Sequence, residues 1–292
     1  MIFVFGSILQ LIRVETDADQ VFDQFEFAKS YKNSVGGKGA LQALAAARAG
    51  AKTAIVGKTG DDELAKHILL RLRKHGVITS GVAKAEKVQT GTSIRLEHEE
   101  RTIIALGANT NASHEQIPEE VLSDRHIVLL QTELDTKENS KILEMGRQKG
   151  ATTILNASPR FEIPDKDIAN IDYVIASSRH KEKWVRIVDP ESMQRLTTIF
   201  ISPEGTVELY MKGEITPLPQ IKTDRLHWKY PEGYEDTFCG TFAAGLYAKL
   251  PLDKVLLRAY VAAAITASQP GGYDTIPYSD VVNEQLNNLE AG

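Results

Sequence analysis

The sequence predicts an α/β protein, with a mostly parallel central sheet, helices on both of its faces and a small separate β-sheet. Three observations predict it. Short apolar strands alternate with Ala- and Leu-rich helical stretches in the first third of the chain and again from residue 127 onward. Between these two stretches lies a hairpin outside that rhythm. The first strand, Ile2 to Phe5, is apolar throughout, as a strand covered on both faces must be.

Taken in order, Ile2-Phe3-Val4-Phe5 ends at Gly6-Ser7 and reads as a buried strand. Lys38 to Arg48 is Ala/Leu-rich and stops at Gly50, the pattern of a helix closed by glycine. Thr53 to Gly57 is the next strand. Asp61 to His75 is a helix with Leu64, Ile68, Leu69 and Leu72 on one face and Gly76 as its stop. Thr90 to Leu96 and Arg101 to Leu106 form a hairpin around Glu97-His98-Glu99-Glu100. The polar stretch Glu15 to Lys32, with Phe22, Phe25 and Phe27, joins it in the small sheet. Strands follow at Ile127 to Gln131, Thr153 to Asn156, Tyr173 to Ala176, Thr198 to Ile201 and Val207 to Met211, with a helix from Thr136 to Lys149. Two helices, Thr237 to Lys249 and Leu252 to Ser268, precede the Pro270-Gly271-Gly272 break. The chain is expected to be one domain over residues 1–292, with lid segments at about 8–35 and 88–107.

Composition narrows the function. With 292 residues, 42% hydrophobic and 25% charged, the chain can bury a large core. The net charge of −5 is spread along the chain with no basic stripe, so nucleic acid is not an expected partner. No apolar run is long enough to span a bilayer, the N-terminus lacks a basic leader, and the single cysteine, Cys239, suits a reducing compartment. A cytoplasmic location is expected. Seven histidines with no ligand spacing predict no metal site built by the protein alone.

Two motifs carry chemistry. Gly36-Gly37-Lys38-Gly39 opens the first long helix, where unpaired N–H groups and a lysine can meet a ligand. A glycine turn feeding a helix with a surface lysine explains it equally well. Asp236-Thr237-Phe238-Cys239-Gly240 places a carboxylate at a helix start. The plain reading is a helix cap. The functional one is a general base beside N–H donors that receive developing phosphoryl charge. Neither motif is a Walker A loop or a dinucleotide fingerprint, so a nicotinamide oxidoreductase fits only the α/β rhythm.

In order and separation, these motifs resemble the ribokinase/PfkB carbohydrate-kinase family. The residues that carry the resemblance run from Gly36 to Arg48, then Gly57-Lys58-Thr59-Gly60-Asp61-Asp62, Leu106-Gly107-Ala108-Asn109, Gln131-Thr132-Glu133, Leu155-Asn156-Ala157-Ser158-Pro159, Asp236 to Gly240, and Pro270-Gly271-Gly272 with Ile276-Pro277. The resemblance implies a ribokinase-like three-layer sandwich with a β lid that closes over the sugar and often also forms a dimer contact. It implies ATP and Mg2+ as cofactors and a sugar or nucleoside as substrate. Asp236 would deprotonate the sugar hydroxymethyl, and Gly37, Lys38 and Glu133 would line the sugar pocket. Asn156, Gly233 and Thr237 would serve the phosphate and nucleotide side.

The departures from that pattern cluster at functional slots. Leu9 and Leu11 stand where the family has an Asn and an Asp, and Leu41 stands for an Asn. Each sugar hydroxyl left unpaired in a buried site costs roughly 1–3 kcal/mol. Ser177 and His180 occupy the Asn-x-x-Glu slots that serve magnesium and phosphate, and Tyr230 takes the place of an Asp that begins a monovalent-cation site. The nucleotide stretch reads Ile201-Ser202-Pro203-Glu204-Gly205. Gly233-Tyr234-Glu235 replaces Gly-Ala-Gly ahead of Asp236. Glu235 is expected to strain a glycine backbone and to set a carboxylate where a triphosphate lands, at a cost on the order of 4 kcal/mol per like-charge pair at about 4 Å. Two functions follow as expectations: an ATP-dependent sugar kinase with weakened activity, or a non-catalytic relative that binds a small molecule or partner.

Overall fold

The protein is described here from a computed structural model. It describes residues 1–22, 25–97, 101–218, 226–230 and 232–290, with side chains for 1–16, 27–97, 101–218, 226–230 and 232–289. In the first half the elements are β1 (Ile2–Phe5), β2 (Leu9–Phe22), β3 (Phe25–Gly36), α1 (Lys38–Arg48), β4 (Thr53–Gly60), α2 (Glu63–Lys74), β5 (Ile78–Ala85), β6 (Thr90–Leu96) and β7 (Arg101–Gly107). They continue with β8 (Ile127–Gln131), α3 (Thr136–Gln148), β9 (Thr152–Asn156), α4 (Asp165–Ile168), β10 (Tyr173–Ser177), α5 (Lys181–Ile187), α6 (Pro190–Arg195), β11 (Thr197–Ile201), β12 (Val207–Met211) and β13 (Glu214–Pro217). Three helices close the chain: α7 (Tyr234–Tyr247), α8 (Leu252–Ala267) and α9 (Ser279–Glu290).

Nine strands form the central sheet in the order β13-β12-β11-β10-β9-β8-β1-β4-β5. All its pairs are parallel except β11–β12 and β12–β13. Successive side chains on a strand point to opposite faces, and this sends Ile2, Val4, Ile55, Leu129, Ile154 and Ile175 to one core with α1, α2, α7 and α8. Phe3, Phe5, Val128, Leu130, Leu155 and Val174 go to the other, with Ile142 and Leu143 of α3 and Trp184 of α5. The fold is therefore the expected three-layer α/β sandwich.

On one side α1 and α7 meet backbone to backbone. A β-carbon at Gly240 would lie 2.4 Å from the Gln42 carbonyl and 2.8 Å from Ala46 N, so no side chain fits there. This contact sets the N-terminal ends of two helices, and with them Lys38 and Asp236, against each other.

A second sheet of four strands, ordered β3-β2-β6-β7, forms the lid. Asn109 fastens its end to the start of β2: Ile8 N–H donates to Asn109 Oδ1 at 2.9 Å, and Asn109 Nδ2 donates to the carbonyls of Ile8 at 3.0 Å and Leu106 at 2.8 Å. The expected hairpin is present as the antiparallel pair β6–β7, with its turn residues His98, Glu99 and Glu100 outside the described residues. The side chains of Phe22 and Phe25 also lie outside them.

Several boundaries differ from the sequence reading. The strand from Thr53 runs on to Gly60, so Gly57 to Gly60 is sheet and the turn comes only at Asp61-Asp62. Asp62 then caps α2, accepting from Ala65 N–H at 2.8 Å. β5 was not anticipated, because Gly81 and scattered polar residues hide its pattern. α7 begins at Tyr234, three residues earlier than expected. Among the described residues no helix is long and apolar enough to cross a membrane.

Candidate active site

The loop from β3 into α1 supplies the first component. Gly37 is the N-cap of α1 at φ 89°. The next N–H, that of Lys38, donates to Glu133 Oε2 at 2.8 Å, and the Ser7 hydroxyl donates to the same oxygen. Glu133 lies just beyond β8 and is 8% exposed. Beside it opens a cleft of about 300 Å3, lined also by Leu106, Asn109, Thr110 and Arg160.

The start of α7 supplies the second. Gly233 is its N-cap in the left-handed region at φ 77°, a conformation natural to glycine. The first helical return bond runs from Thr237 N–H to the Gly233 carbonyl at 2.9 Å. That leaves the N–H groups of Tyr234, Glu235 and Asp236 as the open donors of the first turn. Asp236 is therefore inside the turn and not the cap itself. The expected backbone strain at Glu235 is absent, because the positive φ belongs to Gly233 and Glu235 is already helical.

Lys38 joins the two components. Its ammonium lies 3.2 Å from Asp236 Oδ1 and 3.3 Å from Glu235 Oε2. Glu235 is held by two further side chains of the site: Asn156 Nδ2 donates to its Oε1 at 2.7 Å and the Ser158 hydroxyl to its Oε2 at 3.1 Å. A lysine and two neutral donors around one carboxylate are the ligand set of a small anion, here furnished by the chain itself. The side chains of Lys38 and Asp236 are only 14% and 9% exposed, so the centre is shut.

Beneath it lies an amide network that sequence reasoning missed. Gln42 Nε2 donates to Asp236 Oδ1 at 2.9 Å and to Asn156 Oδ1 at 3.0 Å, while Gln131 Nε2 donates to Gln42 Oε1 at 2.8 Å. Gln42 is fully buried on an Ala/Leu-rich helix, and a lone polar residue on such a face was the available signal. Ser7 was legible only as the end of the first strand, and Ser158 only as a residue of the Leu155 to Pro159 stretch with no role of its own.

The electrostatics follow from burial and crowding. Burial pushes the Asp236 carboxyl up to about 6 and the adjacent Glu235 charge adds to that, while Lys38 and the Gln42 hydrogen bond oppose it. For Glu235 burial acts upward too, but Lys38 and the donors Asn156 and Ser158 win and hold it below its ordinary value. Burial alone would depress the Lys38 ammonium; Asp236, Glu235 and Glu133 together raise it well above its usual range.

The remaining predicted residues are placed as follows. Asn156 is at the centre, bonded as described. The Thr237 hydroxyl is turned inward, donating to the Gly233 carbonyl at 2.8 Å and meeting Thr266 Oγ1 at 3.0 Å. Leu9 and Leu11 lie buried on the lid's inner face, and Leu41 is buried on α1. His180 stacks on Phe161 with centroids 4.5 Å apart. Tyr234 packs edge-on against Trp228, and Trp228 lies on Gly205, where a β-carbon would come within 2.4 Å of the indole.

Comparison with known proteins gives this arrangement its ancestry. The pattern of the pfkB family carbohydrate kinases matches residues 1–201. The chain belongs to that family. The match stops short of α7, where Tyr234 and Glu235 depart from the expected motif, but relatives align further. Mouse ribokinase is 26% identical over 262 residues, covering 83% of this chain and 81% of its own. The Arabidopsis thaliana ribokinase structure, complexed with ribose and ATP, superimposes with a TM-score of 0.81 at 22% identity, covering 98% of both chains. A putative ribokinase II from E. coli, in complex with ATP and Mg2+, gives 0.80 at 16% identity over 98% of this chain and 99% of its own. In this pfkB-family member three side chains that could meet a nucleotide's terminal phosphate, Lys38, Asn156 and Ser158, already hold Glu235, while the N–H groups at the start of α7 stay open. The slots expected to serve magnesium hold Ser177 and the stacked His180, neither a carboxylate.

Proposed function

We propose that this pfkB-family protein binds a small polyhydroxy compound beneath its lid, and that phosphoryl transfer from ATP to that compound is strongly suppressed. The observation that carries this reading is the Glu235 carboxylate bound by Lys38, Asn156 and Ser158. An arriving phosphate would have to displace it and then share the space. Each like-charge contact at about 4 Å costs on the order of 4 kcal/mol at an effective dielectric near 20. Glu133, with the Lys38 and Ser7 donors beside it, is the proposed grip on the ligand's hydroxyls.

A second reading, an ATP-dependent sugar kinase that uses Asp236 as general base, is favoured by two observations. The Asp236 carboxyl, pushed up to about 6, is poised near neutral pH as a base should be. Gly233 also keeps the left-handed cap that opens the N–H groups of α7. The relatives solved with ribose, ATP or Mg2+ support the cofactor classes for this reading.

ADP release with ATP, magnesium and a panel of pentoses, hexoses and nucleosides decides between them, run on the wild type and on Glu235→Gly. The suppressed reading expects background turnover in the wild type and ATP binding at least tenfold tighter in Glu235→Gly. Ordinary turnover by the wild type would overturn it in favour of the kinase.

The proposed partner is a second copy. The lid's outer face carries the register row Ile12, Ile94 and Ile103, with Ile94 36% and Ile103 50% exposed, and Tyr31 beside it. An apolar sheet face of this kind suits pairing between lids.

A further inference from the structure

Arg13 of β2 and Arg95 of β6 are register partners and stand side by side on the inner face of the lid, in the same row as Leu9 and Leu11. With Lys229, Glu97, Glu232 and Tyr230 they line a pocket of about 160 Å3. Its floor is the segment that leads into α7. A β-carbon at Gly272 would meet Arg13 Nη2 at 2.8 Å, and one at Gly233 would lie 3.3 Å from Gly272 Cα. The pocket thus adjoins the N-cap of the helix that carries Asp236.

Its charges are unequally matched. Arg13 faces both carboxylates, with Nη2 at 2.7 Å from Glu232 Oε2 and Nε at 3.4 Å from Glu97 Oε1. Arg95 has no ion pair or hydrogen bond among the described residues. Arg95 Nε is buried with no acceptor, and Arg13 Nε is buried with only the misaligned Glu97 carboxylate at 3.4 Å. A buried donor left open costs about 1–3 kcal/mol, more for a charged group. Guanidinium forks match planar carboxylates and phosphates, which can satisfy two donors at once.

We propose that this pocket receives the anionic group of the ligand, a carboxylate or a phosphate on an acidic sugar derivative. This rests on the reading that a polyhydroxy compound lies beneath the lid. It also explains what the lid strand has exchanged: two hydroxyl-binding slots have become Leu9 and Leu11, and the next residue of that row is a cation. Arg95 and Lys229 meet the anion, while Glu97, whose side chain is 43% exposed, swings out and frees Arg13 Nε.

The test separates the anionic group from the sugar. The full chain is titrated calorimetrically with inorganic phosphate and with acetate, in the wild type, Arg95→Gln and Arg95→Lys. Arg95 is partly exposed on a lid strand, so both variants keep the fold. One anion should bind the wild type, at least tenfold more weakly in Arg95→Gln and within about threefold in Arg95→Lys; which anion binds tells phosphate from carboxylate. Binding of neither anion, or equal binding by wild type and Arg95→Gln, overturns the assignment. Because no sugar is present, that failure is distinct from failure of the lid-binding reading, which calorimetric titration of the wild type with neutral pentoses and hexoses tests.

Discussion

Replacing Asp236 by Asn should make the protein more stable, and more so as the pH rises. The side chain is buried, Asn keeps an acceptor for Gln42 Nε2, and the lysine retains Glu235 as partner. The carboxyl's value moves from 3.8 to about 6 on folding, chiefly through burial. At 1.36 kcal/mol per unit, that difference corresponds to about 3 kcal/mol. Because the folded carboxyl holds its proton to higher pH than the unfolded one, the group favours the fold below pH 4. That contribution is lost as the pH rises through about 6. Asparagine has nothing to lose, so its advantage over the wild type should widen by about 2 kcal/mol between pH 4.5 and 8. Carboxylates remote from residue 236 titrate alike in both proteins and cancel; Glu235, already held below its ordinary value by Lys38, Asn156 and Ser158, stays charged across this range. Urea unfolding of the two proteins across that range measures the difference directly. Parallel midpoints at every pH, or a wild type that gains on the variant as pH rises, would refute the account of a carboxylate held against its burial.

Two further outcomes are expected. Gln42→Leu removes the donor to Asp236 and Asn156 and the acceptor of Gln131, and should cost about 3 kcal/mol in urea unfolding, with the Asp236 carboxyl moving further up in a carbon-detected NMR titration. Ile103→Glu charges the middle of the lid's outer apolar row and should turn a dimer into a monomer in sedimentation without lowering the melting temperature by more than about 2 °C, since the residue is 50% exposed.

Much of the scaffold was legible because its signals are local. Helix α1 has the predicted bounds, Lys38 to Arg48, since an unbroken Ala/Leu run ended by Gly50 needs no tertiary help. The proximity of Lys38 and Asp236 could be expected only through the family resemblance, because they lie 198 positions apart. Harder to read were the places where remote residues decide. Glu235 looked like an intruder in a glycine turn. Its acceptance depends on Lys38, Asn156 and Ser158, 197, 79 and 77 positions away. Arg13 fell in the lid segment read at about 8–35, ahead of its polar stretch, and nothing local told that it would face Glu232 across the chain. The early start of α7 was missed because Asp236 was read as the cap; the cap is Gly233, and Glu235 and Asp236 both lie in the first turn.

The contact at Gly240 has a consequence for how such a protein can diverge. With the Gln42 carbonyl and Ala46 N within 3 Å of where a β-carbon would stand, the two helices cannot slide, tilt or separate to suit a new ligand without losing their shared seam. Innovation is thereby pushed outward, to tips of side chains such as Glu235 and to the lid strands. A chain of this kind can change its chemistry by single exchanges while its frame stays still.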